Sequence, residues 1–395
     1  MNAAAPTPLP VAPRDGTARR VVVGMSGGVD SSVAAWLLKE QGWEVIGVTM
    51  KLWPQDCMTR AEDKCCGPQA IADARGVAHT LGIPHYVIDE AVPFERLVID
   101  YFAEEYRAGR TPNPCVMCNE KVKFGNLWDK ATALGASFIA TGHYAIVEHL
   151  ENKAPILRKG LDPKKDQSYF LFSLRGEQLG RALFPLGSLT KEEIRGLARK
   201  LGLKVADKED SQEICFVPGK DYKAFLNERF KDRGETFQPG GFYDMAGNHL
   251  GPHEGIELFT IGQRKGLPGG SGTPLYVIDI DAATGRVILG GEEDLLCGEF
   301  TVSRVNWQGS IPTAPKKITV KVRHGHHGDE AEVIAESDDT ATVRPLAPLR
   351  AVTPGQAAVF YEGDRVIGGG WIARRKISLP AISPSGTVPS QAVLA

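Results

Sequence analysis

Cysteine is scarce in this chain: seven in 395 residues, an odd number, spaced irregularly at 57, 65, 66, 115, 118, 215 and 297. That pattern excludes the disulfide framework of a small secreted domain and favours a reducing compartment. No run of 18 or more apolar residues occurs, which excludes an apolar transmembrane helix. The first 17 residues, MNAAAPTPLPVAPRDGT, lack the basic-then-apolar layout of a secretory signal, and their prolines oppose an amphipathic targeting helix. A cytoplasmic protein without a membrane partner is expected, with a disordered leader over 1–17. A strong positive charge is also missing. The net charge is -2, so binding to a polyanion has to be argued locally. No repeat of fixed period is present.

A hydrophobic content of 42% and a charged content of 24% are ordinary for a globular protein. A length of 395 residues exceeds what one core supports, so more than one domain is expected. From Arg20 onward short apolar runs alternate with helix-like stretches: VVVG at 21–24, SSVAAWLLKEQG at 31–42, EVIGVTM at 44–50, IADARGVAHTLG at 71–82, HYVIDE at 85–90, PFERLVIDYFAEEYRAG at 93–109 and SFIATG at 137–142. Such alternation predicts an α/β fold, a doubly wound parallel sheet covered on both faces, with ligands at the carboxyl ends of the strands. After about residue 220 the texture turns rich in glycine and proline. Six short β-like runs follow, FTVSRVNW, KITVKVRH, AEVIAE, TATVRP, AAVFY and RVIGGGWI, and predict a small C-terminal β-barrel. The expected division is a catalytic domain over 18–220, a small central domain over 221–298, a barrel over 299–378 and a disordered Pro/Ser-rich tail over 379–395.

The most specific motif is GMSGGVDSS, Gly24 to Ser32, between the first strand and its helix. Ser26, Gly27 and Gly28 let backbone N–H groups come close to phosphate, and the helix start adds partial positive charge. Asp30 and Ser31 at that start read most simply as N-capping residues, but the whole SGGxDS string is more particular than a cap. There is no GxxxxGK[ST], so the Walker-type reading fails. The string resembles the PP-loop ATP pyrophosphatases. That resemblance implies that Gly24 through Ser31 hold ATP, with Asp30 near its Mg2+.

TPNPCVMCNEKVKF, residues 111–124, places Cys115 and Cys118 three apart; such a pair serves redox chemistry, a metal or sulfur handling. TPNPxxxCNxxxKFG, ATGHYA, KKDQSYFLF, SQEICF and TPGQAAVFY together resemble the tRNA-specific 2-thiouridylase family, over nearly the whole chain. The resemblance implies thiolation of the wobble uridine of tRNA, the tRNAs for Lys, Glu and Gln being expected. The uracil C2 oxygen leaves only once activated, for instance as AMP, and a thiolate or persulfide then attacks. By motif match Cys118 is the nucleophile and Cys215 the persulfide carrier, able to pair in a transient disulfide. A persulfide donor, such as a cysteine desulfurase or a relay protein, is implied as partner. Asn113, Pro114 and Cys115 fall at the target base, and Met50 and Gly142 join the ATP site. His143, Lys165, Asp166, Gln167, Arg323, His324 and Gln356 are implied to contact tRNA.

Cys115 stands where many members of that family have aspartate. Its thiolate is expected to act as a base, to resolve a disulfide, or to join Cys118 and Cys215 in holding an iron–sulfur cluster. Cys65 and Cys66 read as idle thiols, or as half of a structural zinc site with 115 and 118. The RHGHH run at 323–327 reads as a solvated hairpin tip, and Trp53, Trp128 and Trp307 as core. From Phe300 to Ile377 there are eleven Lys/Arg and eight Asp/Glu, a mild excess that suits phosphate contact. Two other functions fit less of the sequence: a PP-loop ligase transferring nitrogen, which needs no thiols, and a non-catalytic RNA-binding protein, which needs no intact loop.

Overall fold

Val21, Val22 and Val23 are three consecutive β-branched residues with no exposure, a run that suits only a strand covered on both faces. In the computed structural model, which describes residues 19–52, 67–151, 153–210, 214–268 and 274–375, they form β1 (Arg20–Gly24) at the centre of a parallel sheet. The expected leader and tail, Trp53 and the Cys65–Cys66 pair lie outside the described residues.

The first half runs α1 (Val29–Glu40), β2 (Glu44–Lys51), α2 (Pro68–Leu81) and β3 (His85–Asp89). The helix expected over 93–109 is α3 (Ala91–Phe94), a π-helical turn Glu95–Ile99 and α4 (Asp100–Arg107). Next come α5 (Pro114–Met117), a π-helical segment Cys118–Asn126 and α6 (Leu127–Ala133). Then follow β4 (Phe138–Ala140), β5 (Ala145–Glu148), β6 (Ile156–Lys159), α7 (Gly176–Gly180), β7 (Ala182–Leu183) and α8 (Lys191–Lys200). The sheet order is β3-β2-β1-β4-β7, all parallel, with Val22 beside Ile46 on one side and Ile139 on the other. Val22, Ile46 and Ile139 pack against Phe124, Leu127 and Ala131, whereas Val21, Val23 and Val45 pack against α1, α2 and α8. Both faces are covered, as a doubly wound sheet requires.

After α9 (Tyr222–Asp232) a four-stranded sheet in the order β10-β11-β8-β9 is made by β8 (Gly240–Asp244), β9 (His249–His253), β10 (Tyr276–Asp281) and β11 (Arg286–Gly290). The glycine- and proline-rich texture concealed β8 and β9. Pro252 is tolerated because β9 is an edge strand, where a missing N–H costs no ladder bond. A short pair, β12 (Leu296–Cys297) with β17 (Leu349–Arg350), sits beside the C-terminal barrel.

The barrel strands are β13 (Phe300–Trp307), β14 (Lys316–Lys321), β15 (Asp329–Ala335), β16 (Thr340–Pro345), β18 (Ala357–Glu362) and β19 (Arg365–Ile372), the six runs expected from sequence, closed by the pairing of β13 with β19. One feature was not expected. The β5–β6 hairpin of the first domain joins the same sheet at β19, and Ala357, Val359, Tyr361 and Trp371 share a core with Val22 and Phe124. The barrel is thereby fixed against the strand ends where the site lies.

Candidate functional site

Gly24 ends β1, and the chain turns at once into α1 through Met25, Ser26, Gly27 and Gly28. Gly27 has φ +70, and a Cβ there would stand 2.2 Å from the carbonyl oxygen of Ala70, so only glycine fits. The Ser31 hydroxyl accepts from the Ser26 amide at 3.2 Å and donates to the Gly28 carbonyl at 3.2 Å. Gly28 is the N-cap of α1 and no side chain caps it, which leaves the first amides of the helix facing the site. Gly142, just after β4, presses on this turn: a Cβ on it would lie 2.7 Å from the Ser31 nitrogen and 2.9 Å from the Asp30 Cβ.

Asp30 is not left as a simple cap. It accepts from the Tyr144 hydroxyl at 2.7 Å and from Lys191 Nζ at 2.8 and 2.9 Å. Lys191 also meets Asp210 at 2.6 Å, and Asp210 meets Lys165 at 2.7 Å. Burial works against the Asp210 carboxylate, yet hydrogen bonds from Lys165 and Lys191 hold it down to about 2. Lys208 completes this side, donating to the Gly27 carbonyl at 3.1 Å and to Asp73 at 2.7 Å. Lys191, Asp210, Tyr144 and Lys208 escaped the sequence reading. A signal existed for one of them: Lys191 is the first residue of α8 after the Thr190 cap, and a cation there opposes the helix dipole unless carboxylates compensate.

Asn113 caps α5, its Oδ1 accepting from the Val116 amide at 3.4 Å, and Pro114 fills the first helical position. This turn sets Cys115 and Cys118 three apart on one face. Cys115 opens onto the site, Cys118 is buried and Cys215 is half-buried, and none is in a disulfide. Although Cys115 is exposed to the cavity, desolvation by the surrounding walls pushes its thiol up to about 11, with Cys118 adding to the rise and Lys123 opposing it. Burial likewise raises Cys118, against Lys123. His143 is buried, with Nδ1 2.7 Å from the Thr141 hydroxyl. Burial and then Lys123 keep it well below its usual range and hence neutral.

These groups surround two adjoining cavities. The inner one, about 340 Å³, is lined by Gly24, Met25, Ser26, Asp30, Ser31, Met50 and Gly142 at one end and by Pro114, Cys115, Cys118, Lys123, His143, Gln167 and Cys215 at the other. The outer one, about 630 Å³, is lined by Gly28, Val29, Asn113, Lys164, Lys165, Phe170, Lys208, Asp210, His324 and Gln356. Ser26, Asp30, Pro114, Cys115, Gln167 and Ile214 border both. Of the site residues expected from sequence, Gly27, Asp166 and Arg323 line neither. Asp166 is buried and accepts from the Gly160 amide and from the amide and hydroxyl of Ser168, so its carboxylate shapes the KKDQ turn from within. Gln356 donates to the carbonyls of Thr111 and Pro112 at 3.2 and 2.8 Å, tying the barrel to the TPNP segment. His324 stands with its ring centroid 4.4 Å from that of Phe170, so the RHGHH turn is not merely a solvated tip.

The iron–sulfur reading of Cys115, Cys118 and Cys215 is corrected. Among the described residues no three His, Cys, Asp or Glu side chains gather as ligands for a metal. The zinc reading that used Cys65 and Cys66 falls outside the described residues. Trp128 is partly buried under the Arg181 guanidinium at 4.4 Å, and Trp307 packs on the barrel core. No helix among the described residues is long and apolar enough to cross a membrane.

A parallel sheet with a glycine-turned, anion-ready helix start at its carboxyl edge defines a nucleotide-handling α/β domain. In agreement, the family described as tRNA methyl transferase HUP domain matches residues 19–219, the tRNA methyl transferase PRC-barrel domain matches 223–291 and the aminomethyltransferase beta-barrel domain matches 297–372. The chain is 54% identical over 361 residues to the tRNA-specific 2-thiouridylase MnmA 1 of Caldanaerobacter subterraneus subsp. tengcongensis, covering 90% of this chain and 98% of that one. It is 48% identical over 379 residues to the tRNA-specific 2-thiouridylase MnmA of Heliobacterium modesticaldum, covering 95% and 98%. The chain belongs to the tRNA-specific 2-thiouridylase family. Its likeness to a solved NMN synthetase from Francisella tularensis is slight: 17% identity, a TM-score of 0.31, and cover of 56% of this chain and 80% of that one.

Proposed function

We propose that this protein is a tRNA-uridine 2-sulfurtransferase that replaces the C2 oxygen of the wobble uridine with sulfur, consuming ATP. The observation that carries the reading is the single inner cavity with a phosphate-ready helix start at one end and Cys115, Cys118 and Cys215 at the other. The amides of Ser26 through Ser31 would hold the ATP phosphates, and Asp30, exchanging Lys191 for a cation, would face Mg2+. Bound Mg2+ supplies charge neutralisation for the departing pyrophosphate.

In this reading the uracil O2 attacks the α-phosphorus and pyrophosphate leaves. A persulfide on Cys215, loaded by a donor protein, then attacks C2 through its outer sulfur and AMP leaves. The Cys118 thiolate attacks Sγ of Cys215, so the S–S bond to the transferred sulfur breaks, a Cys118–Cys215 disulfide forms and 2-thiouridine is released. A thiol reductant resets the pair. Lys164, Lys165 and His324 would meet the tRNA backbone at the outer cavity, with Arg323 beside His324 but outside the cavity lining, and Asn113, Pro114 and Cys115 would meet the flipped base. The tRNAs for Lys, Glu and Gln are the proposed substrates.

The test is nucleoside mass spectrometry of unmodified lysine tRNA after incubation with the protein, Mg·ATP and a persulfide donor. We expect 2-thiouridine with wild type and none with Cys118→Ala or Cys215→Ala. Unimpaired ATP-dependent turnover in both variants would instead point to nitrogen transfer.

A further inference from the structure

We propose that Lys123 is the cation that favours ionisation of the Cys118 thiol, a positioning residue of the thiol end. Lys123 is the only Lys or Arg lining the inner cavity among the described residues. It makes no ion pair or hydrogen bond among those residues, whereas its neighbour Lys121 is spent on Glu120 at 2.6 Å. The local winding accounts for Lys123 lining the same cavity as Cys118. In an α-helix a residue five positions on is turned by about 140° from the first, which would point Lys123 away from Cys118. The segment Cys118–Asn126 is π-helical, and i to i+5 closure brings residues five apart back onto one face. Gln178 clamps this winding, its Nε2 donating to the carbonyls of Glu120 and Phe124 at 3.1 and 2.9 Å.

The chemistry asks for such a cation. The thiolate is the nucleophile, and a buried thiol resists ionising. The titratable groups that line the cavity with Cys118 are Cys115 on the same turn, Lys123, His143 after β4, Cys215 and, at the phosphate end, Asp30. Cys115, Cys215 and Asp30 carry no positive charge in either protonation state. His143 is buried and neutral, so Lys123 alone supplies favourable charge. Lys123 opposes the rise of both Cys118 and Cys115, in keeping with that placement.

This inference rests on the thiolation reading for its purpose, but its test needs neither tRNA nor ATP. Full-length protein is alkylated with iodoacetamide across pH, and the Cys118 adduct is followed by fragment ions of the tryptic peptide 111–121, which Lys123 substitutions leave unchanged. The plateau reports access and the midpoint reports charge. We expect Lys123→Met and Lys123→Gln to raise the midpoint by about one pH unit, a roughly tenfold loss of rate below it. Lys123→Arg should restore it to within about 0.3 units, and Lys121→Met should leave it in place. Two neutral variants, each checked by its melting curve, guard against one failing to fold. A midpoint unmoved in a folded neutral variant overturns the proposal, as does a shift that Lys123→Arg does not reverse. If wild type makes no 2-thiouridine, the functional reading fails while the midpoint still decides this one.

Discussion

The two ends of the inner cavity solve opposite electrostatic problems. At the phosphate end the charges are paired in advance: Asp30, Lys191, Asp210 and Lys165 form a chain of contacts from 2.6 to 2.9 Å. At the thiol end burial suppresses charge, since Cys115 and Cys118 are pushed up and His143 is pushed down. The difference teaches where each reactant must bring its own charge. A polyphosphate bound at the first end would exchange partners with contacts already in place. The thiols at the second end ionise only with help, and Leu52, Phe94 and Phe216 give that end apolar walls that would keep water from the activated base of the proposed reaction.

The largest effect should come from removing the thiol end. Cys118→Ala or Cys215→Ala is expected to lower 2-thiouridine formation by about a thousandfold or more while ATP still binds, because the covalent step has no substitute. Loss of nucleotide binding in these variants, read by calorimetry, would erase the distinction between the ends. Gly142→Ala attacks the other end through packing. Its Cβ would press on the Ser31 nitrogen and Asp30, and such overpacking costs about 1–3 kcal/mol. A roughly hundredfold weaker ATP affinity is expected, with the Cys118 alkylation midpoint unchanged.

A smaller effect is expected from Lys191→Met, which takes one partner from Asp30 and one from Asp210 but leaves them Tyr144 and Lys165: about a tenfold rise in KM for ATP and a lower Tm. The linkage sign follows from Asp210. Its depressed pKa contributes stability that is present above the unfolded carboxylate value of about 3.9 and is lost as pH falls through about 2. The stability difference between wild type and Asp210→Asn should therefore be flat near neutrality and close between about pH 4 and 2, measured by urea melts. The smallest change belongs to the outer cavity. Lys164→Ala should weaken tRNA binding a few-fold and reduce the slope of log affinity against log salt by about one; an unchanged slope would remove Lys164 from the phosphate path.

Much of this was legible in the sequence because it is local. The valine run of β1 and the SGGVDS turn each state their conformation within a few residues, and the six barrel strands alternate as β-strands do. What stayed hidden depends on distance along the chain. Lys191 and Asp30 are 161 residues apart, and no pattern in either stretch announces the other. Lys123 was printed inside the motif, yet its orientation depends on π winding, which hydrophobic periodicity does not reveal. Asp166 shows the converse: an acidic residue in a polar run looked outward in sequence but is buried and satisfied by its own turn. Cys115, Cys118 and Cys215 line one cavity, whereas their grouping as metal ligands was a matter of geometry that spacing cannot fix.

In the proposed reaction nucleotide and thiols act in sequence within one cavity. This is tested most directly by rapid-quench single turnover of the Cys118→Ala, Cys215→Ala double variant with lysine tRNA and Mg·ATP labelled in the α-phosphate. The account predicts that label accumulates on the tRNA as an adenylated uridine that never becomes 2-thiouridine. Pyrophosphate release without labelled tRNA, or no ATP consumption at all, would contradict it.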